Sequence, residues 1–196
     1  MSAQIEEKQN MLNNTVPIYI YLALFALYRI TEYCIMHRSG TLKNTPRRDW
    51  TAYLIIIPFY LVVISPIVEY QYFDQDLSIV SMLMGGIFYI AAAFIRGKAH
   101  LDLRGGFSMR LEHIRTDRFI KTGLYKYIRH PLYLGNLCLF VACPLFLSSF
   151  YSWIFTVLGL LGILFRIRIE ERFMCVAYQG YRDYMKKTSA LIPGVF

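Results

Sequence analysis

Two side chains of opposite charge, Arg166 and Glu170, follow the last apolar stretch of this 196-residue chain. They are four residues apart, so a helix that continues past the apolar stretch carries both on one face. A guanidinium fixed there binds a carboxylate in bidentate fashion, and a fixed carboxylate accepts hydrogen bonds from an amine or from ribose hydroxyls. The same charges also suit the flank of a membrane helix, and the spacing alone leaves both interpretations open.

A second group of residues with chemical potential is Arg129-His130-Pro131. Proline is favoured in the first turn of a helix, where its missing N–H costs nothing, so the sequence predicts a helix that begins at Pro131. Arg129 and His130 are then directed towards the membrane surface, Tyr133 lies one turn inside, and Gly135 allows another helix to approach closely. An ordinary helix start with interfacial anchors explains the same residues.

A third charged pair, Arg29 and Glu32, lies inside the first apolar stretch. Ionisable residues within a membrane helix are by default candidates for function. These two are three residues apart and therefore share a helical face, where they can neutralise each other and reach the interface. We therefore expect a structural pair.

The elements that must position these residues are membrane helices. Hydrophobic residues make up 56% of the chain and charged residues only 17%, against roughly 25% charged in soluble domains, which excludes disorder and disfavours an ordinary soluble domain. Five apolar stretches approach the about 20 residues that a bilayer crossing needs: residues 16–36, 50–68, 78–95, 131–147 and 150–165. The sequence thus predicts an all-α integral membrane protein with five transmembrane helices, the last two forming a tight hairpin about Ser148 and Ser149.

The basic residues predict the orientation. The chain has 21 Lys and Arg against 13 Asp and Glu. All Lys and Arg except Lys8 and Arg29 lie in three regions: after the first stretch, between the third and fourth, and after the fifth. Five crossings put these regions on one side, which is then cytoplasmic. We expect a multi-pass protein with the N-terminus outside, the C-terminus in the cytoplasm and the active site facing the cytoplasm.

The chain is expected to form a single membrane domain, residues 1–196. Residues 16–95 would hold three N-terminal transmembrane helices, and residues 96–196 a catalytic region with the hairpin and a C-terminal cytoplasmic segment. Residues 97–130 are too long for a bare turn and predict a folded cytoplasmic cap. The polar N-terminus, with Glu6, Glu7 and Lys8, lacks the basic region of a secretory signal, so we expect the first helix to be retained.

The four cysteines have neither paired spacing nor histidines at ligand spacing, so neither a disulfide framework nor a zinc site is supported. Positive charge in so apolar a chain indicates membrane flanks, and no nucleic-acid partner is expected. The expected partner is membrane lipid. Oligomeric state remains open.

A longer pattern surrounds the Arg-His-Pro stretch. The run Arg129-His130-Pro131-x-Tyr133-x-Gly135 follows Gly123-x-Tyr125, and after a hairpin come Glu170-Glu171 and Tyr181-x-x-Tyr184 with Lys186 and Lys187. Over about residues 117–196 this pattern resembles the isoprenylcysteine carboxyl methyltransferase family of integral membrane enzymes. Members use S-adenosyl-L-methionine and methylate the carboxylate of a prenylated cysteine. The resemblance therefore implies that the predicted cap binds this cofactor and that the substrate is amphiphilic or prenylated.

The resemblance implies roles for particular residues. Cofactor contacts would come from Asp117, Arg118, Phe119, Ile120, Tyr125, His130, Pro131, Leu132, Tyr133 and Glu170. The family usually has His at the first of these positions and Leu at the third. Asp117 and Phe119 depart from that, so backbone contacts are expected there. Arg166, four residues before the acid, would act in catalysis by holding the substrate carboxylate.

Other functions remain as alternatives. Phospholipid N-methyltransferases and NADPH-dependent membrane reductases of sterols or isoprenoids carry similar Arg-His-Pro hairpins. A reductase would use the basic residues Arg115, Arg118 and Lys121 for cofactor phosphates, although positive flanks predict the same residues. A non-enzymatic adaptor or transporter is disfavoured because no inverted repeat or broken helix is evident.

Overall fold

The computed structural model describes residues 2–39, 50–73, 76–103 and 119–194, with side chains from residue 15 onward. The described residues form helices and contain no β-strand. The α-helices are α1 (Ser2–Arg38), α2 (Tyr53–Tyr72), α3 (Ile79–Leu103), α4 (Pro131–Phe146), α5 (Trp153–Ala177) and α6 (Tyr181–Met185). Short 3₁₀ turns, Trp50–Ala52 and Gly123–Lys126, precede α2 and α4. The prediction that a helix begins at Pro131 is confirmed.

Three helical stretches are long and apolar enough to cross a membrane, namely Thr15–Arg38, Trp50–Tyr72 and Ile79–Leu103. They correspond to the first three predicted segments. Helix α4 has 16 residues, or about 24 Å at about 1.5 Å per residue, short of the about 30 Å of a bilayer core. Helix α5 is long enough, but its second half is charged. Five crossings therefore stay a prediction, as does the orientation.

Helices α4 and α5 form an antiparallel hairpin with a connection over residues 147–152. Thr156 Oγ1 donates to the Phe140 carbonyl oxygen at 2.8 Å. The Phe140 ring occupies the space that a side chain at Gly159 would take. Nearer the other end, Tyr133 of α4 lies beside Arg166 of α5. The predicted hairpin is present, with small residues allowing the close contact.

The remaining helices pack around this hairpin through similar close contacts. Gly85 of α3 lies against the backbone of Phe146, and an added Cβ would come within 2.6 Å of the Phe146 nitrogen. Gly162 of α5 lies against the Leu54 carbonyl of α2. The core between the helices is apolar and aromatic, and its largest fully buried side chains include Tyr21, Val62, Leu139, Phe140, Ile163 and Ile167.

Glu69 of α2 fixes the connection between α4 and α5. Its side chain is buried, and its carboxylate accepts hydrogen bonds from the amides of Phe150 (2.5 Å), Tyr151 (3.0 Å) and Ser152 (3.0 Å). The Ser152 hydroxyl also donates to it at 2.9 Å. A buried carboxylate is stable only with such partners. Sequence reasoning assigned Glu69 no role.

The C-terminal segment folds back against the start of α4. Helix α5 continues past its apolar part to Ala177, as predicted. Residues 127–130 then run parallel to residues 189–190: the Arg129 amide donates to the Ser189 carbonyl at 2.9 Å and the His130 amide to that of Ala190 at 3.0 Å. Residues 104–118 lie outside the described residues, so the predicted cap stays a prediction.

Candidate active site

The Tyr133 hydroxyl joins the two helices of the hairpin at their charged end. It donates to Glu170 Oε2 at 2.8 Å and accepts from Arg166 Nε at 2.9 Å. Arg166 is 6% exposed and also donates to the Thr51 hydroxyl. The i,i+4 spacing predicted that Arg166 and Glu170 share a helical face, and their common partner shows that they do.

His130 lies beside this group. Its ring stacks on that of Tyr133, with centroids 5.5 Å apart and planes at 14°. Its Nδ1 is 3.9 Å from Glu170 Oε2, and its Nε2 is 3.2 Å from Glu171 Oε1. The imidazole is therefore held between the two adjacent acids, in the first turns of the hairpin.

Arg129 corrects one sequence-based expectation. It was expected to point towards the membrane surface, but its side chain is 9% exposed and its Nε lies 2.5 Å from Glu171 Oε1. The same guanidinium donates to the carbonyl oxygens of Met185, at 3.1 Å, and Thr188. It turns inward because these carbonyls of the C-terminal segment need donors. Arg129 thus fastens that segment behind His130.

The ion pair with Arg129 helps to lower the pKa of Glu171. Burial alone would raise the pKa of Glu171, but the hydrogen bonds from His130 and Arg129 and their charges outweigh it and hold the pKa below its ordinary value. Glu171 is therefore ionised at neutral pH and stays bound to Arg129. Of the two acids, Glu170 is the one that faces Tyr133.

Tyr125 forms the apolar side of the site. It is 8% exposed and packs with Ala99 and Leu103 of α3, with Leu132 against the same cluster. Burial first, and then the charge of Glu170, hold the pKa of Tyr125 well above its ordinary value. The Tyr184 hydroxyl donates to the Tyr125 carbonyl oxygen at 2.5 Å, and burial raises the pKa of Tyr184 to about 12, so this donor keeps its proton.

The stretch before the glycine turn is only partly described. Ile120 packs against the Tyr125 cluster. The Phe119 ring instead contacts Tyr178, Tyr181 and Tyr184, with centroids 5.8, 5.1 and 5.2 Å apart. Its side chain therefore belongs to an aromatic cluster with the C-terminal segment. Asp117 and Arg118 lie outside the described residues, and their predicted contacts stay predictions.

The other predicted contact residues, Pro131 and Leu132, lie in the first turn of α4, with Pro131 almost fully buried. The structure thus brings Tyr133, Arg166 and Glu170 into one hydrogen-bonded group with His130 stacked on Tyr133. It places Tyr125, Leu132 and Ile120 in an adjoining apolar cluster. Sequence reasoning missed Thr51 as a partner of Arg166. A single threonine before an apolar stretch carries no signal of that contact.

Glu32 has more partners than the spacing of Arg29 and Glu32 predicted. Arg29 Nη1 lies 2.5 Å from Glu32 Oε2, as the spacing predicted. Glu32, however, is 4% exposed at its side chain and also accepts from Arg96 Nε of α3 at 2.6 Å, with His100 Nε2 at 3.6 Å. The expected pair is therefore present, and burial against α3 gives Glu32 further partners that sequence spacing does not reveal.

The arrangement suits the binding of a polar ligand at Glu170. Its side chain is 31% exposed, and its contacts with Tyr133 and His130 both involve Oε2. Among the residues that the structure describes, Oε1 thus keeps its capacity to accept hydrogen bonds. A carboxylate so placed suits the amine or the ribose hydroxyls of a nucleoside-bearing amino acid, so the donor set fits S-adenosyl-L-methionine.

The chain is similar to known proteins. Methanethiol S-methyltransferase 1 of Bradyrhizobium diazoefficiens is 28% identical over 136 residues, which cover 65% of this chain and 46% of that protein. The chain therefore spans about half the length of this curated relative. Residues 83–176, from α3 to the end of α5, match the isoprenylcysteine carboxyl methyltransferase family.

The matched region contains His130, Tyr133, Arg166 and Glu170. It also contains Arg129 and Glu171, which attach the C-terminal segment. The resemblance inferred from the Arg-His-Pro pattern is confirmed: residues 83–176 of this chain match the isoprenylcysteine carboxyl methyltransferase family.

Proposed function

We propose that this protein is a membrane methyltransferase that uses S-adenosyl-L-methionine and methylates an amphiphilic acceptor. The observation that carries the proposal is the hydrogen-bonded series Arg166–Tyr133–Glu170 at the charged end of the α4–α5 hairpin. It lies in the family region, beside helices apolar enough to cross a membrane. Family and relative both support methyl transfer over the reductase alternative.

Within this proposal, Glu170 and His130 hold the methyl donor, with Tyr125 and Leu132 providing apolar surface nearby. When bound, S-adenosyl-L-methionine supplies an electrophilic methyl group on a sulfonium. Among the described residues, Oε1 of Glu170 accepts no hydrogen bond, and the hydrogen bond from Tyr133 to Oε2 fixes the orientation of the carboxylate. Contacts from residues 117–120 would complete the site, mainly through their backbone.

Arg166 serves the acceptor. Its guanidinium is buried and bound to Tyr133 and Thr51, so its charge has a defined position. A carboxylate acceptor is ionised at neutral pH, with a pKa near about 4, and needs no general base. The contribution of the protein is then to hold the reactants within roughly 3–3.5 Å in line and to exclude water. The carboxylate of a prenylated cysteine is the acceptor that the resemblance implies.

A thiol is the second candidate acceptor, because the curated relative is named for methylating methanethiol. The reactive form of a thiol is the thiolate, and its pKa near about 8.5 falls beside a guanidinium. Arg166 would then favour the ionised thiol rather than orient a carboxylate. The two acceptors share one requirement, a negatively charged nucleophile next to a fixed cation.

The test is transfer of an isotopically labelled methyl group by the purified protein in detergent. Farnesylcysteine, a long-chain thiol and phosphatidylethanolamine represent a carboxylate, a thiol and an amine. We expect transfer to farnesylcysteine at a rate independent of pH above about 5, because a carboxylate is then ionised. Transfer to the thiol alone, at a rate that rises as the pH approaches the thiol pKa, would identify a thiol as the acceptor. No transfer to any of the three would contradict the proposal.

A competition experiment separates the reductase. We expect S-adenosylhomocysteine to displace the labelled donor and NADPH to leave it bound. Displacement by NADPH alone would favour a nicotinamide-dependent enzyme. Topology is tested separately by labelling single cysteines placed near residues 74 and 187, which the five-crossing proposal puts on opposite sides of the membrane.

A further inference from the structure

Helix α4 is held on a second side by a residue outside the group around Tyr133. Arg96 of α3 donates from Nη1 to the Leu132 carbonyl oxygen at 3.1 Å and to Asn136 Oδ1 at 2.6 Å. Its side chain is 13% exposed. Leu132 and Asn136 are four residues apart, so Arg96 binds one face of the first turns of α4.

The fit between Arg96 and α4 depends on Gly135. An added Cβ there would come within 3.1 Å of Arg96 Cδ and closer still to Cγ. The aliphatic part of Arg96 therefore crosses α4 where α4 has no side chain. This contact fixes both the depth and the rotation of α4, since a turned helix would present a side chain to Arg96.

Glu32 of α1 holds Arg96 in turn. Its Oε1 accepts from Arg96 Nε at 2.6 Å, and its side chain is 4% exposed. Arg29 also binds Glu32, but its side chain is 52% exposed and no described contact of Arg29 reaches α4. One carboxylate thus has two arginine partners, of which Arg96 alone bridges to the candidate active site.

Rotation of α4 matters because Tyr133 follows Leu132 directly. The Tyr133 hydroxyl lies between Arg166 and Glu170 at 2.9 and 2.8 Å, and a displacement of about 1 Å in such a group can cost about 10²-fold in rate. We infer that Arg96 is a positioning residue, held by Glu32, which sets the rotation of α4 and thereby the place of the Tyr133 hydroxyl. The inference rests on the proposed function. It means that α1, through Glu32, and α3, through Arg96, help to position the candidate active site.

The test compares Arg96→Met with Arg29→Met, the matched control that removes the other arginine partner of Glu32. Donor affinity is measured by calorimetry with S-adenosylhomocysteine in detergent. We expect Arg96→Met to weaken binding about 10-fold or more, within the range that misplaced groups cause, and Arg29→Met to change it less than about 2-fold. Asn136→Leu keeps the Arg96–Glu32 pair but removes one contact of Arg96 with α4, so it should also weaken binding. It replaces Arg96→Met in the test if that variant does not fold.

A double-mutant cycle separates positioning from general stability. In a Tyr133→Phe background the hydroxyl that Arg96 positions is absent, so Arg96→Met should have little further effect. Equal losses in both backgrounds would overturn the inference, because a merely structural role gives additive effects.

The positioning role of Arg96 can be tested even if the proposed function is wrong. If the wild-type protein binds no donor, hydrogen exchange of the amides of residues 132–136 tests the contact directly. We expect faster exchange in Arg96→Met than in Arg29→Met, and equal exchange would overturn the positioning role.

Discussion

The Tyr133 hydroxyl donates to Glu170 Oε2 over 2.8 Å, which joins the first turn of α4 to the charged end of α5. Arg166 donates to the same hydroxyl from one turn earlier in α5. The tyrosine therefore sets the distance between a fixed cation and a fixed anion. A donor held by the anion and an acceptor held by the cation would meet beside this hydroxyl.

Replacement of Arg166 should separate catalysis from donor binding. Arg166→Ala removes the guanidinium proposed to hold the acceptor but keeps Glu170 and His130, so we expect methyl transfer to fall by about 10²-fold or more while the donor still binds. Calorimetry and labelled-methyl transfer on the same preparation measure the two. Arg168→Ala, at an exposed position two residues on, is the control. Equal loss of binding and transfer in Arg166→Ala would show that the role assigned to Arg166 is wrong.

Stability should depend on pH through Glu171. Its pKa in the folded protein lies below the ordinary value of about 4.3, since Arg129 and His130 favour its ionised form. The stabilisation is therefore complete above about pH 4.3 and is lost as pH falls through the lowered pKa. We expect the melting temperature in detergent to drop over that acidic range, and Glu171→Gln to flatten the drop. An unchanged slope in Glu171→Gln would contradict the assignment.

The connection between α4 and α5 should depend on Glu69. Glu69→Gln replaces one of two accepting oxygens by an amide donor that faces backbone N–H groups, and unmatched buried groups cost about 1–3 kcal/mol. Thermal unfolding should therefore show a clear loss of stability. Asp76→Asn, at an exposed position near the same end, removes a carboxylate without this network and should have little effect. Equal melting temperatures for both variants would argue against a role for Glu69.

Two glycines give a matched test of helix packing. At Gly162 an added methyl group would overlap the Leu54 carbonyl, whereas at Gly86 it meets nothing within 4 Å. We expect Gly162→Ala to destabilise the protein by about 1–3 kcal/mol through overpacking. Gly86→Ala should be neutral or stabilising, by at most about 1 kcal/mol, because alanine favours the helix. The reverse order of stabilities would contradict the contact between α2 and α5.

Local patterns in the sequence predicted local structure well. Proline at a first turn indicated where α4 begins, and i,i+4 spacing indicated that Arg166 and Glu170 share a face. The motif around His130 predicted the family. Each of these inferences concerns residues within a few turns of one another or a short pattern, where the chain geometry constrains the answer.

Contacts between distant elements could not be predicted in this way. The spacing of Arg29 and Glu32 predicted that these two residues pair. It did not predict the pairing of Glu32 with Arg96, because Arg96 is on another helix and no periodicity in the sequence identifies such a contact. Arg129 looked like an interfacial anchor because its carbonyl partners, Met185 and Thr188, belong to a segment that folds back from the C-terminus. Nothing in the sequence indicated the role of Glu69, because its partners, three backbone amides and the Ser152 hydroxyl, lie about 80 residues further along the chain.

Donor binding measured by calorimetry tests the central claim most directly. Wild-type protein in detergent is titrated with S-adenosyl-L-methionine, beside Glu170→Gln and the control Asp183→Asn, whose carboxylate is exposed and pairs only with Lys186 among the described residues. The account predicts binding by wild type and Asp183→Asn and at least about 10-fold weaker binding by Glu170→Gln, the loss of a charged hydrogen-bond acceptor. Wild-type affinity in Glu170→Gln, or no binding by the wild-type protein, would contradict it.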